Sequence, residues 1–438
     1  MRRYEKIGLG VPQVYLPREE IDLTRWSVIA CDQFTSQPEY WDNVRGIAGD
    51  APSTYHLVLP EVYLGKKEEK ERLKTINRNM QEYLTQGILQ PHEGMIYIER
   101  TAAGKTRKGL LVCLDLEKYD FNKGSTSLIR ATEGTIIDRL PPRIKIRENA
   151  PLELPHILVL IDDPENTVIG SAAGMKASLP KLYDFDLMLG SGHLTGWLVN
   201  DLALEEQIAS SLASLADPQG FQQKYALPAG QDVLLYAMGD GNHSLATAKA
   251  IWDKVKYSVG MVHPARYALV ELENIHDPAL DFEPIHRVVF DVKKNLLEKI
   301  ADFFKTGCRI YDAGDVSNMI QLVTSSTPEI QRIGYLDPQG IKVIEMDHPP
   351  LNLPVGNLQH CLDELMRSGI AESIDYVHGA ETVVDLGRKP GNAGFYLPAM
   401  KKIELFKTVI LDGALPRKTF SMGEAIEKRF YLEARKIR

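Results

Sequence analysis

The 438-residue chain has only four cysteines, Cys31, Cys113, Cys308 and Cys361. They are far apart, with no CxxC pair and no metal-finger spacing, so neither a disulfide scaffold nor a zinc ribbon is expected. Isolated thiols of this kind suit a reducing compartment, and a cytoplasmic protein is expected. Met1-Arg-Arg-Tyr-Glu-Lys lacks the apolar core of a secretion signal, and no uninterrupted apolar run reaches membrane-spanning length. A basic excess is missing too: the formal net charge is -8 and the pI about 5.8. That balance tells against a nucleic-acid footprint, which needs a cationic face. There is no solenoid repeat, no low-complexity tract, no GxxxxGK[ST] loop and no GxSxG elbow.

What is present reads as an ordinary folded α/β (α+β) protein, with 44% hydrophobic and 25% charged residues. Its length allows two or three lobes. A charged helix is expected over residues 66–86, and a hairpin from strands at 95–100 and 108–116. A buried strand is expected over 155–162, a helix over 202–215 and a strand over 265–273. From about residue 309 short strands and helices alternate, with strands at 309–311, 332–336, 342–346, 373–377 and 394–397. Helices are expected at 316–324, 358–368, 380–388 and 400–411. The boundary is placed between a lobe of residues 1–295 and a C-terminal α/β lobe of residues 296–438.

The densest functional signal lies over residues 232–256. The apolar run Asp232-Val-Leu-Leu-Tyr-Ala-Met238 reads as a strand that stops at Gly239-Asp240-Gly241. A helix follows, with Leu245, Ala248, Ile251, Trp252 and Val255 on one face and Asn242 or Ser244 as its N-cap. Such a turn aims free N–H groups and a positive dipole end at one point, where an anion is stabilised. Asp240 and His243 add an acid and a titratable base there. The plainer alternative is a capping turn with a surface histidine.

A second concentration of charge runs from Arg130 to Arg147, with Arg130, Arg139, Arg143, Lys145 and Arg147 as cations around Glu133. Arginine forks grip phosphate oxygens, and a carboxylate among them stays ionised. Glu133 could orient or deprotonate a hydroxyl, or help hold a metal. The alternative is a solvated loop balanced by Asp138 and Glu148. His286 and Arg287 read as the entrance of a strand at Val288–Phe290, a place where a salt bridge is the commoner use. Gly190-Ser191-Gly192-His193 is a short turn that could face phosphate, and Cys31-Asp32 could expose Asp32 at a strand end.

The order Arg130-Ala-Thr-Glu133-Gly-Thr135, Leu160-Ile-Asp-Asp-Pro164, Gly239-Asp-Gly-Asn-His-Ser244 and Pro284-Ile-His-Arg287 resembles the bacterial domain-of-unknown-function family numbered 1015. The likeness runs over nearly the whole chain and brings no assigned activity. Many members of that family carry Asp-Gly-His-His-Arg at the third motif. That box is similar to the phosphate-binding box of the ParB/sulfiredoxin superfamily, which includes ParB CTPases, sulfiredoxin and a free-serine kinase with a nucleotide diphosphate donor.

The resemblance implies a mixed-sheet, ParB/sulfiredoxin-like nucleotide-binding core. In the kinase branch the Asp and the second His of the box meet the phosphates and a separate Glu serves as base. Asp240 and His243 match, whereas Asn242 replaces the first His and Ser244 the Arg. The Arg-rich segment is then expected to supply the missing cation.

The resulting expectation is a nucleotide-dependent phosphotransferase acting on a small hydroxylated metabolite, with free serine the best single guess. Asp240, His243 and Glu133 carry the chemistry. Gly239, Gly241, Asn242, Ser244, Arg130, Arg139, Arg143, His286 and Arg287 bind phosphate, and Asp240 meets Mg²⁺. ATP or ADP is the expected nucleotide. The partners are a small-molecule substrate and this nucleotide, with no nucleic acid and no membrane, and a homodimer as the candidate assembly. Alternatives are a phosphatase on a phosphorylated small molecule such as phosphoserine, and a non-enzymatic nucleotide-responsive regulator acting on a protein partner. A sulfiredoxin-like role ranks last, because no cysteine lies between Cys113 and Cys308.

Overall fold

The structure is a computed structural model that describes residues 1–122, 124–134, 140–293, 295–305 and 307–438. It divides into two compact units, Met1–Leu280 with Gly423–Arg438, and Asp281–Met422. Among the described residues no helix is long and apolar enough to cross a membrane.

The first unit is built on a mixed sheet. Along its main path the strands run Lys181–Asp186, His193–Val199, Met95–Ala102, Lys105–Asp115, Tyr267–Asn274, Leu158–Ile161, Tyr236–Asp240, Ile129–Arg130 and Tyr119–Asp120, with Leu9–Gly10 also pairing onto Lys105–Asp115 and Arg3–Tyr4 onto Leu9–Gly10. The 95–115 hairpin is antiparallel, and 267–274 runs antiparallel to it but parallel to 158–161. Alternation along the strands feeds two cores. Met95, Tyr97, Leu110, Val112 and Leu114 enter one, with the helix Leu202–Leu215 over them. Ile96, Ile98, Leu111 and Cys113 enter the other, with Trp26, Trp41 and Tyr431. A sheet covered on both faces has near-continuous apolar strands, which is why these runs stand out in the sequence.

The second unit carries its own sheet, in the order Cys308–Asp312, Gly340–Asp347, Ile330–Asp337, Ala393–Tyr396, Phe282–Phe290 and Ser373–His378, with Phe420–Met422 pairing onto 282–284. The helices Val316–Thr324 and Ala380–Gly387 fall where the apolar spacing places them. The division differs from the expected boundary at 295/296 at both ends of this unit. Residues 282–290 form a strand paired with 373–378 and 393–395, so they belong to the second sheet. The C-terminal strands Phe430–Tyr431 and Arg435–Lys436 pair with Val28–Ile29 and Leu152–Glu153, which returns the chain end to the first unit.

Candidate functional site

The strand Tyr236–Asp240 lies between Leu158–Ile161 and Ile129–Arg130, with Asp240 opposite Leu158. Tyr236, Ala237 and Met238 are fully buried, while Gly239 and Asp240 emerge part-exposed at the strand end. Gly241 then turns the chain with φ 77°, and a Cβ there would meet the Ile157 Cα at 3.0 Å. Both the left-handed backbone and the space demand glycine.

The helix Asn242–Val259 starts immediately, buried through Leu245, Ala246, Ala248, Ile251 and Trp252. Its N-cap is Gly241, not Asn242 or Ser244 as expected, and no side chain caps it. The N–H groups of Ser244 and Leu245 turn back to the Gly241 carbonyl. The Gly241 N–H donates to the Asp240 Oδ1 at 2.8 Å. The Asn242 Oδ1 is buried and has no hydrogen-bond partner among the described residues.

Around this turn the fold gathers polar groups from distant segments. Lys428, from the C-terminal return, places its Nζ 3.2 Å from the Asp240 Oδ2, with side chains 11% and 27% exposed respectively. Burial disfavours charge on Asp240, but the Lys428 ammonium, the Gly241 N–H and His156 hold its carboxyl below the usual range. His156, just before the 158–161 strand, sets its Nε2 2.8 Å from the Ser244 Oγ and its Nδ1 3.0 Å from the Tyr431 hydroxyl. The Cys31 N–H donates to that same hydroxyl at 3.1 Å. Glu61, whose N–H donates to the Cys31 carbonyl at 2.8 Å, pairs through its side chain with Arg143. Burial pushes the Glu61 carboxyl up against the pull of Arg143, and the neighbouring Asp32 adds to the rise.

Glu133 comes to the same end of the sheet. The Ile129–Arg130 strand runs parallel to Tyr236–Ala237, and two residues beyond it the Thr132 hydroxyl donates to the Met238 carbonyl at 2.6 Å. Glu133 is the next residue and is part-exposed. The Arg-rich helix Leu140–Arg147 packs against the helix Asn242–Val259.

The expected cations that are described are placed differently from one another. Arg130 is 4% exposed, and its guanidinium donates to the carbonyls of Ser127, Thr126, Asp232 and Val233, at the start of the 232–240 segment rather than at Asp240. Arg143 pairs with Glu61 and Arg147 with Glu153, and Arg139 lies outside the described residues. His286 and Arg287 sit inside a strand of the second unit. The His286 Nδ1 accepts from the Leu397 N–H at 3.1 Å, and Arg287 is held by Gln359 and the carbonyls of Ile285 and Arg417. Among the described residues, Lys428 is a cation paired with Asp240 at the turn, and sequence reasoning missed it along with His156, Glu61 and Tyr431. His156 had one local signal, a polar side chain at the mouth of a buried strand, while Lys428 and Tyr431 had none. His243 stands in the first helical turn, its carbonyl accepting from the Thr247 hydroxyl at 2.6 Å. Among the described residues no group of three or more His, Cys, Asp or Glu is placed to hold a metal ion.

No curated protein matches the chain. Among solved structures it is similar to a free serine kinase in complex with AMP, at 12% identity and a TM-score of 0.39, covering 75% of this chain and 92% of that one. It is also similar to SbnI with C-terminal truncation from Staphylococcus aureus, at 11% identity and a TM-score of 0.36, over 72% and 82% of the two chains. A conserved hypothetical protein from Pyrococcus furiosus follows at 13% identity and a TM-score of 0.33, over 74% and 90%. Residues 13–406 match the family described as "Protein of unknown function (DUF1015)", and the chain belongs to that family.

Proposed function

We propose that the turn from Gly239 to Ser244 binds the phosphates of ATP or ADP, and that the protein transfers a phosphoryl group to the hydroxyl of a small metabolite, with free serine as the best single candidate. The observation that carries this reading is the uncapped helix start at Gly241, flanked by the Asp240–Lys428 pair. A helix N-terminus favours phosphate through its dipole, and an adjoining carboxylate can hold Mg²⁺ or orient the nucleophile in phosphoryl transfer.

In this reading His243 donates to a phosphate oxygen and Glu133 receives the acceptor's proton. The acceptor oxygen forms the new P–O bond as the bridging P–O bond to the departing nucleotide breaks. A Mg²⁺ ion carried on the nucleotide would neutralise the phosphoryl oxygens, with Asp240 as its protein carboxylate. A single carboxylate fits Mg²⁺, which is commonly held by one or two carboxylates plus substrate phosphates.

Thermal-shift measurements with ATP, ADP, AMP and phosphoserine, with and without Mg²⁺, test the reading, followed by phosphorus NMR of nucleotide-plus-serine mixtures. A ligand at about 100 times its Kd stabilises the native state by about 2.7 kcal/mol. Nucleotide stabilisation, phosphoserine formation and loss of turnover in Asp240→Asn are expected. Stabilisation by phosphoserine alone points to the phosphatase instead, and nucleotide binding without turnover to the regulator. No response to any of them refutes the site.

A further inference from the structure

The C-terminal return does more than close the first unit. It carries Lys428 between two fixed points. Before it, the turn Ala425–Glu427 is locked by a capping box between Glu424 and Glu427. After it, Arg429 is clamped by Glu271, Glu433 and the carbonyls of Pro155 and Phe430, and Tyr431 meets His156. A lysine is seldom buried without a partner, and this one is held against Asp240 at the helix start.

The electrostatics of the turn require a cation there. The Asp240 carboxylate occupies the Gly241 N–H and brings a negative charge to the point where the helix dipole would attract an anion. Ser244 supplies no charge, Arg130 and Arg147 are engaged elsewhere, and Arg143, close to the turn, is paired with Glu61. Lys428 lies beyond residues 13–406, so the family likeness does not supply it.

We propose that Lys428 is a phosphate-binding residue of this site, its ammonium bridging Asp240 and a phosphate oxygen of a nucleoside di- or triphosphate. An ammonium has three donors and can serve both. The inference rests on the reading of the turn as a nucleotide site. It further requires that ADP bind without a divalent cation, because the ammonium and the helix start provide the grip.

The test is calorimetric titration of the full chain with ADP in EDTA, using wild type, Lys428→Gln and Lys428→Gln/Asp240→Asn. Lys428→Gln should weaken ADP about 10- to 140-fold, the range of a charge-assisted hydrogen bond. If Lys428 only neutralises Asp240, the double variant regains wild-type affinity. If it grips phosphate, the double variant stays weak. Unchanged affinity in Lys428→Gln, recovery in the double variant, or wild-type binding that appears only with Mg²⁺ each overturns this inference and leaves the nucleotide reading standing. Failure of wild type to bind ADP or ATP with or without Mg²⁺ overturns both. The double variant removes both charges together, so the comparison survives even if the single one folds poorly.

Discussion

Replacing Arg429 by Met should unfold the first unit at a distinctly lower temperature. The Arg429 Nε donates to the Glu271 Oε2 at 2.7 Å, its Nη2 to the Glu433 Oε2 at 2.9 Å and its Nη1 to the Pro155 carbonyl at 2.8 Å. The three side chains are 5%, 3% and 1% exposed, so water cannot replace the guanidinium. Glu433 keeps the Tyr183 hydroxyl at 2.6 Å, but the other oxygen of Glu271 has no hydrogen-bond partner among the described residues. Breaking such a buried pair costs about 3–5 kcal/mol. At about 2–4 °C per kcal/mol for a large domain, melting should fall by roughly 6–20 °C. All four tryptophans, Trp26, Trp41, Trp197 and Trp252, lie in the first unit, so tryptophan fluorescence follows its unfolding. Because the orphaned carboxylate carries much of the cost, adding Glu271→Gln to Arg429→Met should recover part of the loss. A fall below about 2 °C in Arg429→Met, within the range of an ordinary surface substitution, refutes the account.

Gly241→Ala should destabilise the first unit by about 1–2 kcal/mol, read in urea titrations, because it forces a Cβ into a left-handed backbone beside Ile157; an unchanged midpoint contradicts this. In the second unit, burial and the adjacent Arg287 push His286 down from 6.5 to about 4. The unfolded chain therefore binds a proton that the native state refuses, and stability present above about pH 6.5 is lost as pH falls toward 4. Urea unfolding by circular dichroism at several pH values should show a shallower loss in His286→Gln. Glu273 has the opposite sign: burial pushes it from 4.5 up to about 8 despite Arg107, with Glu271 adding to the rise. Its contribution is complete below about pH 4.5 and is lost as pH climbs through 8, and Glu273→Gln should flatten that decline.

The parts of the fold that were legible in the sequence are those whose physics is local. Helices at 202–215 and 316–324 appear at their expected bounds because an apolar stripe and a capping Asp, Asp201 or Asp315, lie within a few residues. The turn at Gly239–Asn242 was legible for the same reason. The strand Phe282–Phe290 was recognised only at its end, because Glu283 and Pro284 interrupt its apolar pattern. That shortened strand hid the burial of His286 and Arg287 and moved the expected boundary into the second unit. Arg130 looked like a ligand because a guanidinium that serves backbone carbonyls leaves no mark in the sequence.

Lys428 shows why a local motif need not contain every group that packs against it. Ser244 has no charge, and a reader of the motif alone looks for its replacement in the nearest basic run. The fold instead brings Lys428 from the chain end, because Phe430–Tyr431 pairs with Val28–Ile29 and Arg429 is bound into the buried carboxylates. Neither pairing has a sequence period or spacing that announces it. The same return sets the Tyr431 hydroxyl on His156, and His156 on Ser244. Ser244 is thus tied to the segment that delivers the lysine. A change at Arg429 should therefore reach the turn through two contacts, Lys428 on Asp240 and Tyr431 through His156, and weaken ADP binding even at temperatures where the first unit remains folded. Calorimetric titration of Arg429→Met with ADP, well below its melting temperature, checks this, and wild-type affinity there would show that the return does not set the geometry of the turn.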